Sequence, residues 1–179
     1  MAVLEGLESK ELKLIEALSI VAQVSVGLAG FAGVAVLLGR GPGHWRPADA
    51  LRIRVLLYAA FGALFASLTP VGLLLSGVTE DVSIRCGSMT VLLTIVVWIR
   101  SMGRAMSGLD ASSRAVFRPR VAVVILIITA IAAIAQLATV LGLAGPAGPS
   151  LFFFGLLALL GYAAFSFVRL MFVRPGGDE

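Results

Sequence analysis

Gln23 and Gln136 are the only two amide side chains in the sequence, and both fall inside long apolar runs. An amide donates and accepts hydrogen bonds at once, so in apolar surroundings it either joins two helices or lines a wet passage. Counted at a rise of about 1.5 Å per residue, both lie about 10–12 Å below the same membrane boundary. Ser67, Thr69 and Thr90 fall near that level, and Pro70 beside them removes a backbone donor and frees a carbonyl. As interhelical glue an amide typically contributes about 0.6 kcal/mol and at most about 2 kcal/mol. The sharper alternative is a polar layer, Gln23, Ser67, Thr69, Thr90 and Gln136, that lines a pore.

A second group sits at the rim. Arg85 is four residues from Asp81, with Glu80 adjacent and Glu16 at the corresponding end of the first apolar run. That spacing suits a helical ion pair, and the sharper reading is an electrostatic gate at a pore mouth. Cys86 beside it reads as an inert small residue and allows no intrachain disulfide.

Other chemistry finds no residues. A Schiff-base lysine would have to lie within a helix, yet Lys10 and Lys13 precede the first apolar run. The single histidine, His44, belongs to a connecting loop, which excludes bis-histidine haem ligation. Ion-coupled pumps place acids in mid-membrane, whereas Glu16 and Glu80 stay at the boundary. No metal cluster or nucleophile–base pair has workable spacing. The expectation is a protein that is not an enzyme and carries no cofactor or metal.

The elements that must position these residues follow from hydropathy. Hydrophobic residues form 59% of the chain and charged residues 13%, about half the usual charged share of soluble domains. Five stretches approach the length of roughly 20 residues that a bilayer core requires: 15–38, 55–78, 82–99, 121–143 and 151–173. The expected fold is an all-α, polytopic bundle of five transmembrane helices in a single domain of residues 1–179. The first stretch is too long for a signal-peptide core and follows an acidic segment, so it reads as a retained helix. Residues 1–14 space their leucines at helical intervals, as an extension of that helix or a surface segment.

Eleven of the 14 basic residues fall on one side of a five-span chain, in the loops 39–54 and 100–120 and near the C-terminus. By the positive-inside rule that side is cytoplasmic and the N-terminus lies outside, as expected of a multi-pass protein of the plasma or inner membrane. The same arginines meet anionic lipid headgroups, which leaves no case for a nucleic-acid partner. Pro47 suits the first turn of the second helix. Trp45 and Trp98 suit the headgroup level. The run from Ala144 to Ser150 predicts a tight hairpin between the last two helices. Arg-x-Arg-Val opens both the second and fourth spans, a faint sign of a repeat that topology alone also explains.

Ser25, Ala29 and Gly33, with Gly30 beside them, form a small-residue surface on the first helix. Such a surface packs either within the bundle or against another copy. Together these features predict a homo-oligomeric pore or channel-like protein with an uncharged polar lining. The competing expectation is a non-catalytic accessory or scaffold subunit bound to a membrane protein partner.

Overall fold

The computed structural model describes residues 2–39, 47–107 and 119–172. His44, Trp45 and the basic residues Arg40, Arg46, Arg114, Arg118 and Arg174 lie outside the described residues. Among the described residues five helices carry the fold: α1 (Ala2–Gly39), α2 (Pro47–Leu75), α3 (Glu80–Ser107), α4 (Pro119–Val140) and α5 (Gly148–Phe172). A single 3-10 turn, Gly145–Ala147, precedes α5. All five helices are long and apolar enough to cross a membrane, and the chain fits a multi-pass membrane protein.

Local sequence explains the helix ends. Pro47 and Pro119 open α2 and α4, where a missing N–H costs no intrahelical bond. At the other ends, α2 and α4 close by the same device. Gly77 (φ 79°) and Gly142 (φ 75°) adopt left-handed backbone. The next residue's N–H then folds back, from Val78 to Leu73 O at 3.0 Å and from Leu143 to Ala138 O at 2.9 Å. These are glycine-terminated helix caps, which satisfy carbonyls that the helix leaves open. They stop α2 at Leu75 and α4 at Val140, each three residues short of the apolar run from which the span is read. The N-terminal segment does extend the first helix, with α1 continuous from Ala2.

One face of α1 is buried, at Leu14, Leu18, Val21, Ala22, Ser25 and Ala32. The recurrence at three and four residues is that of a helix with a single packed side. α2 is the central helix, packed against α1, α3 and α5, whereas α4 packs chiefly against α3 and α5. The second and fourth spans therefore occupy unlike places, and the arginine echo marks no repeat in the packing.

Two close approaches fix α3 in place. Any Cβ at Gly62 of α2 would overlap the Thr94 side chain of α3. At Gly87 of α3 a Cβ would lie 2.8 Å from the Phe152 ring and 3.1 Å from Pro70. Gly87 is thus the notch that seats Phe152 of α5 beside the proline of α2. Around it Leu14, Leu18, Ala66, Ile84, Val91 and Leu156 complete the main core. Large apolar side chains such as Phe31, Phe65, Leu93, Ile127 and Leu157 point outward, as they do where lipid tails replace water.

Candidate functional site

The expected polar layer is dispersed. Gln136 is fully buried, and its Nε2 donates to Leu151 O of α5 at 2.7 Å. Its amide lies over Gly155, where any Cβ would overlap it, so a glycine makes room for a glutamine between α4 and α5. Gln23 is on the exposed side of α1. The two amides share a depth but face opposite surroundings.

The hydroxyls of the layer are engaged within their own helices. Ser67 donates to Leu64 O at 2.9 Å, Thr69 to Phe65 O at 2.7 Å and Thr90 to Cys86 O at 3.1 Å. Back-bonding of this kind satisfies Ser and Thr locally and leaves little donor capacity for a passage. Within one chain, Gln23, Ser67, Thr69, Thr90 and Gln136 line no common channel among the described residues.

At the rim, Arg85 Nη2 meets Asp81 Oδ2 at 2.8 Å, with the two side chains 42% and 68% exposed. The guanidinium also lies against Gly142, within 3.0–3.2 Å of where a Cβ would stand, and so covers the cap of α4. Glu80 sits in the first turn of α3 beside Asp81. Glu16 is exposed on α1. Arg85 thus links the first turns of α3 to the cap that ends α4.

The small-residue surface of α1 divides. Ser25 is buried and donates to Val21 O at 2.8 Å, and Ala29 packs on the small cluster of Ala59, Ala60 and Ala163. Gly30 and Gly33 face open space.

Two features are less visible in the sequence. Among the described residues, four buried side-chain atoms outside Arg85 have no hydrogen-bond partner: Ser83 Oγ, Ser88 Oγ, Gln136 Oε1 and Trp98 Nε1. Trp98 packs against a neighbouring helix, its ring edge-on to Tyr162 of α5 at 5.1 Å. These two rings form part of the wall of a cleft of about 760 Å³. It opens where α4 diverges from α3 and α5, and its walls include Thr94, Ile128, Ala132, Gly155, Ala158 and Gly161. The signal available beforehand was only that two amphipathic aromatics occupy matching levels of α3 and α5; that they meet depends on packing.

The described lining of the cleft is almost wholly apolar. The Thr94 and Thr129 hydroxyls are bonded to Thr90 O and Ile125 O of their own helices. Among the described residues, no group of three His, Cys, Asp or Glu side chains could hold a metal ion. What the cleft offers is an apolar, small-residue surface with an indole and a phenol at one end.

No family model matches this chain, and neither a curated protein nor a solved structure is similar to it.

Proposed function

We propose that this chain is a non-catalytic accessory or scaffold subunit of a larger membrane assembly, and that a partner's transmembrane helix seats in the cleft between α3, α4 and α5. The cleft itself is the observation that carries the reading. Its volume of about 760 Å³ is space that three helices enclose without filling. Ala132, Gly155, Ala158 and Gly161 in its wall let a fourth backbone approach closely, the usual basis of helix association in lipid. Trp98 and Tyr162, edge-on at 5.1 Å, give one end of the cleft an aromatic wall against which an incoming helix can pack. The arginine-rich end is assigned to the cytoplasm and the N-terminus to the outside by the charge asymmetry, in a plasma or inner membrane.

A photo-crosslinking residue placed at Leu157, an exposed position in the cleft wall, tests this in native membranes. The expected result is one discrete protein adduct, absent when the same probe replaces Leu93 on the exposed side of α3. Adducts to lipid alone at Leu157 would refute it, as would ion flux through liposomes holding the purified chain by itself.

The position of Gln23 favours a second reading. A polar passage would have to run between copies, with Gln23 and the open Gly30 and Gly33 surface of α1 at its centre. That pore requires a closed homo-oligomer by native mass, and a flux that Gln23→Leu alters without changing the oligomer.

A further inference from the structure

At the arginine-bearing end, a second cavity of about 430 Å³ opens between α2 and α3, on Arg54 and Tyr58 of α2 and Val97, Arg100, Ser101 and Arg104 of α3. Arg54 and Tyr58 are four residues apart, as are Arg100 and Arg104, so each pair rises on one side of its helix. The two helices are held in register deeper in the bundle by the Gly62–Thr94 contact. The cavity is therefore walled by two helices packed directly against each other.

Every polar side chain in it is a donor. Three guanidiniums line it with two hydroxyls, and among the described residues no carboxylate, amide or imidazole does so. None of the three arginines is in an ion pair among the described residues, and the Tyr58 and Ser101 hydroxyls make no hydrogen bond there. Ser101 contrasts with Ser67, Thr69, Thr90 and Thr94, all of which back-bond to their own helix. The carboxylates whose side chains are described, Glu11, Glu16, Glu80 and Asp81, sit at the opposite end of the bundle. From Asp81 to Arg100 along α3 is about 28 Å. Three like charges brought together with no counter-charge among the described side chains are unfavourable until an anion joins them. Forked guanidiniums suit the oxygens of a phosphate better than any other common anion.

We propose that this cavity is a binding site for a phosphate group, with Arg54, Arg100 and Arg104 clamping its oxygens and Tyr58 and Ser101 completing the shell. Its place at the ends of the apolar segments Ile53–Leu75 and Glu80–Arg104 is where lipid phosphates lie, and basic pockets between transmembrane helices are a recurring form of headgroup site. A soluble phosphate ester offers the same chemistry. This site is independent of the cleft and of the partner proposed for it.

The test uses the full chain in nanodiscs containing a zwitterionic phospholipid with a titrated fraction of phosphatidylglycerol, with bound lipids counted by native mass spectrometry. In a parallel arm, glycerol phosphate is titrated into the detergent-solubilised protein. The expected result is retention of the anionic lipid over the zwitterionic one, weakened about five-fold for each arginine changed to glutamine and about 100-fold for R54Q/R100Q/R104Q. The R54K/R100K/R104K variant keeps the net charge and loses the forks, so it separates a built site from bulk attraction, and it should bind at least several-fold more weakly than the wild type. Tyr58→Phe removes one donor with little risk to folding and should weaken retention measurably. Saturable binding of glycerol phosphate, lost in the same variants and without a lipid preference, would assign the site to a soluble ester. Equal retention by the wild type and the lysine variant, or no saturable binding in either arm, would overturn the proposal.

Discussion

Replacing Gln136 by methionine tests whether the buried amide is there to hold the bundle together. The side chain makes one bond, Nε2 to Leu151 O at 2.7 Å, which within a membrane contributes about 0.6 kcal/mol and at most about 1.7 kcal/mol. Its Oε1 is buried with no partner, and an unsatisfied buried acceptor costs about 1–3 kcal/mol. Methionine removes both terms. Its unbranched thioether follows the path of the glutamine over Gly155 without new bulk, and the Leu151 carbonyl stays in the ladder of α5. The expected change is between a small gain and a loss of about 1 kcal/mol, or no more than about 4 °C in Tm for a chain of this length. Gln136→Leu serves as the contrast. Its branch at Cγ presses on the α5 backbone at Gly155, so it should destabilise more although it is equally apolar. Thermal unfolding followed by far-UV circular dichroism in one mild detergent measures all three proteins. A loss above about 3 kcal/mol in Gln136→Met, comparable to breaking a fully satisfied polar network, would refute the account, because it would mean that Oε1 has a partner. If the methionine variant is stable, any loss of association or flux in it reports on function rather than folding.

Gly155→Ala should cost about 1–3 kcal/mol by forcing α4 and α5 apart around the Gln136 amide, and Gln136→Ala in the same chain should recover most of it in the same unfolding assay. Gly77 and Gly142 share nearly the same left-handed backbone, at φ 79° and 75°, yet only Gly142 has a neighbour, Arg85, where a Cβ would stand. Gly77→Ala should therefore show the backbone strain alone, about 1–2 kcal/mol, and Gly142→Ala a larger loss. Arg85→Ala should remove that excess in a double-mutant cycle. Asp81→Asn breaks an ion pair whose partners are 42% and 68% exposed, so it should change stability by less than about 0.5 kcal/mol. A Tm shift of several degrees would mean that the pair is part of a buried gate after all.

Much of this architecture was readable because it is one-dimensional. The count of apolar residues predicts five helices, Pro47 marks where α2 begins, and the four-residue spacing of Asp81 and Arg85 anticipates their contact. The apolar runs continue three residues past α2 and α4, to Val78 and Leu143, because hydropathy carries on through a turn that a left-handed glycine has already made. Depth alone does not decide whether the polar residues face one another. Residue counting fixes depth along a helix, but the direction a side chain faces also depends on which neighbours that helix meets. Gln23 and Gln136 agree in the first quantity and differ in the second. Thr69 and Thr90 show a further limit, since a hydroxyl in a helix has a carbonyl four residues back within reach, and its presence at a given depth says nothing of a passage.

The same distinction decides which polar groups of this bundle are worth testing for function. A donor that bonds its own backbone is neutral toward any ligand, and a buried acceptor such as Gln136 Oε1 is closed off by the packing around it. The groups at Arg54, Tyr58, Arg100, Ser101 and Arg104 are neither: they come from two helices packed directly against each other, face one cavity and have no partner within the described residues. Arginines in a loop would satisfy the topology rule just as well. Bringing three of them from two helices into one cavity adds a geometric requirement that topology alone does not impose, and that excess is why the binding experiment with the lysine variant discriminates where a net-charge argument cannot.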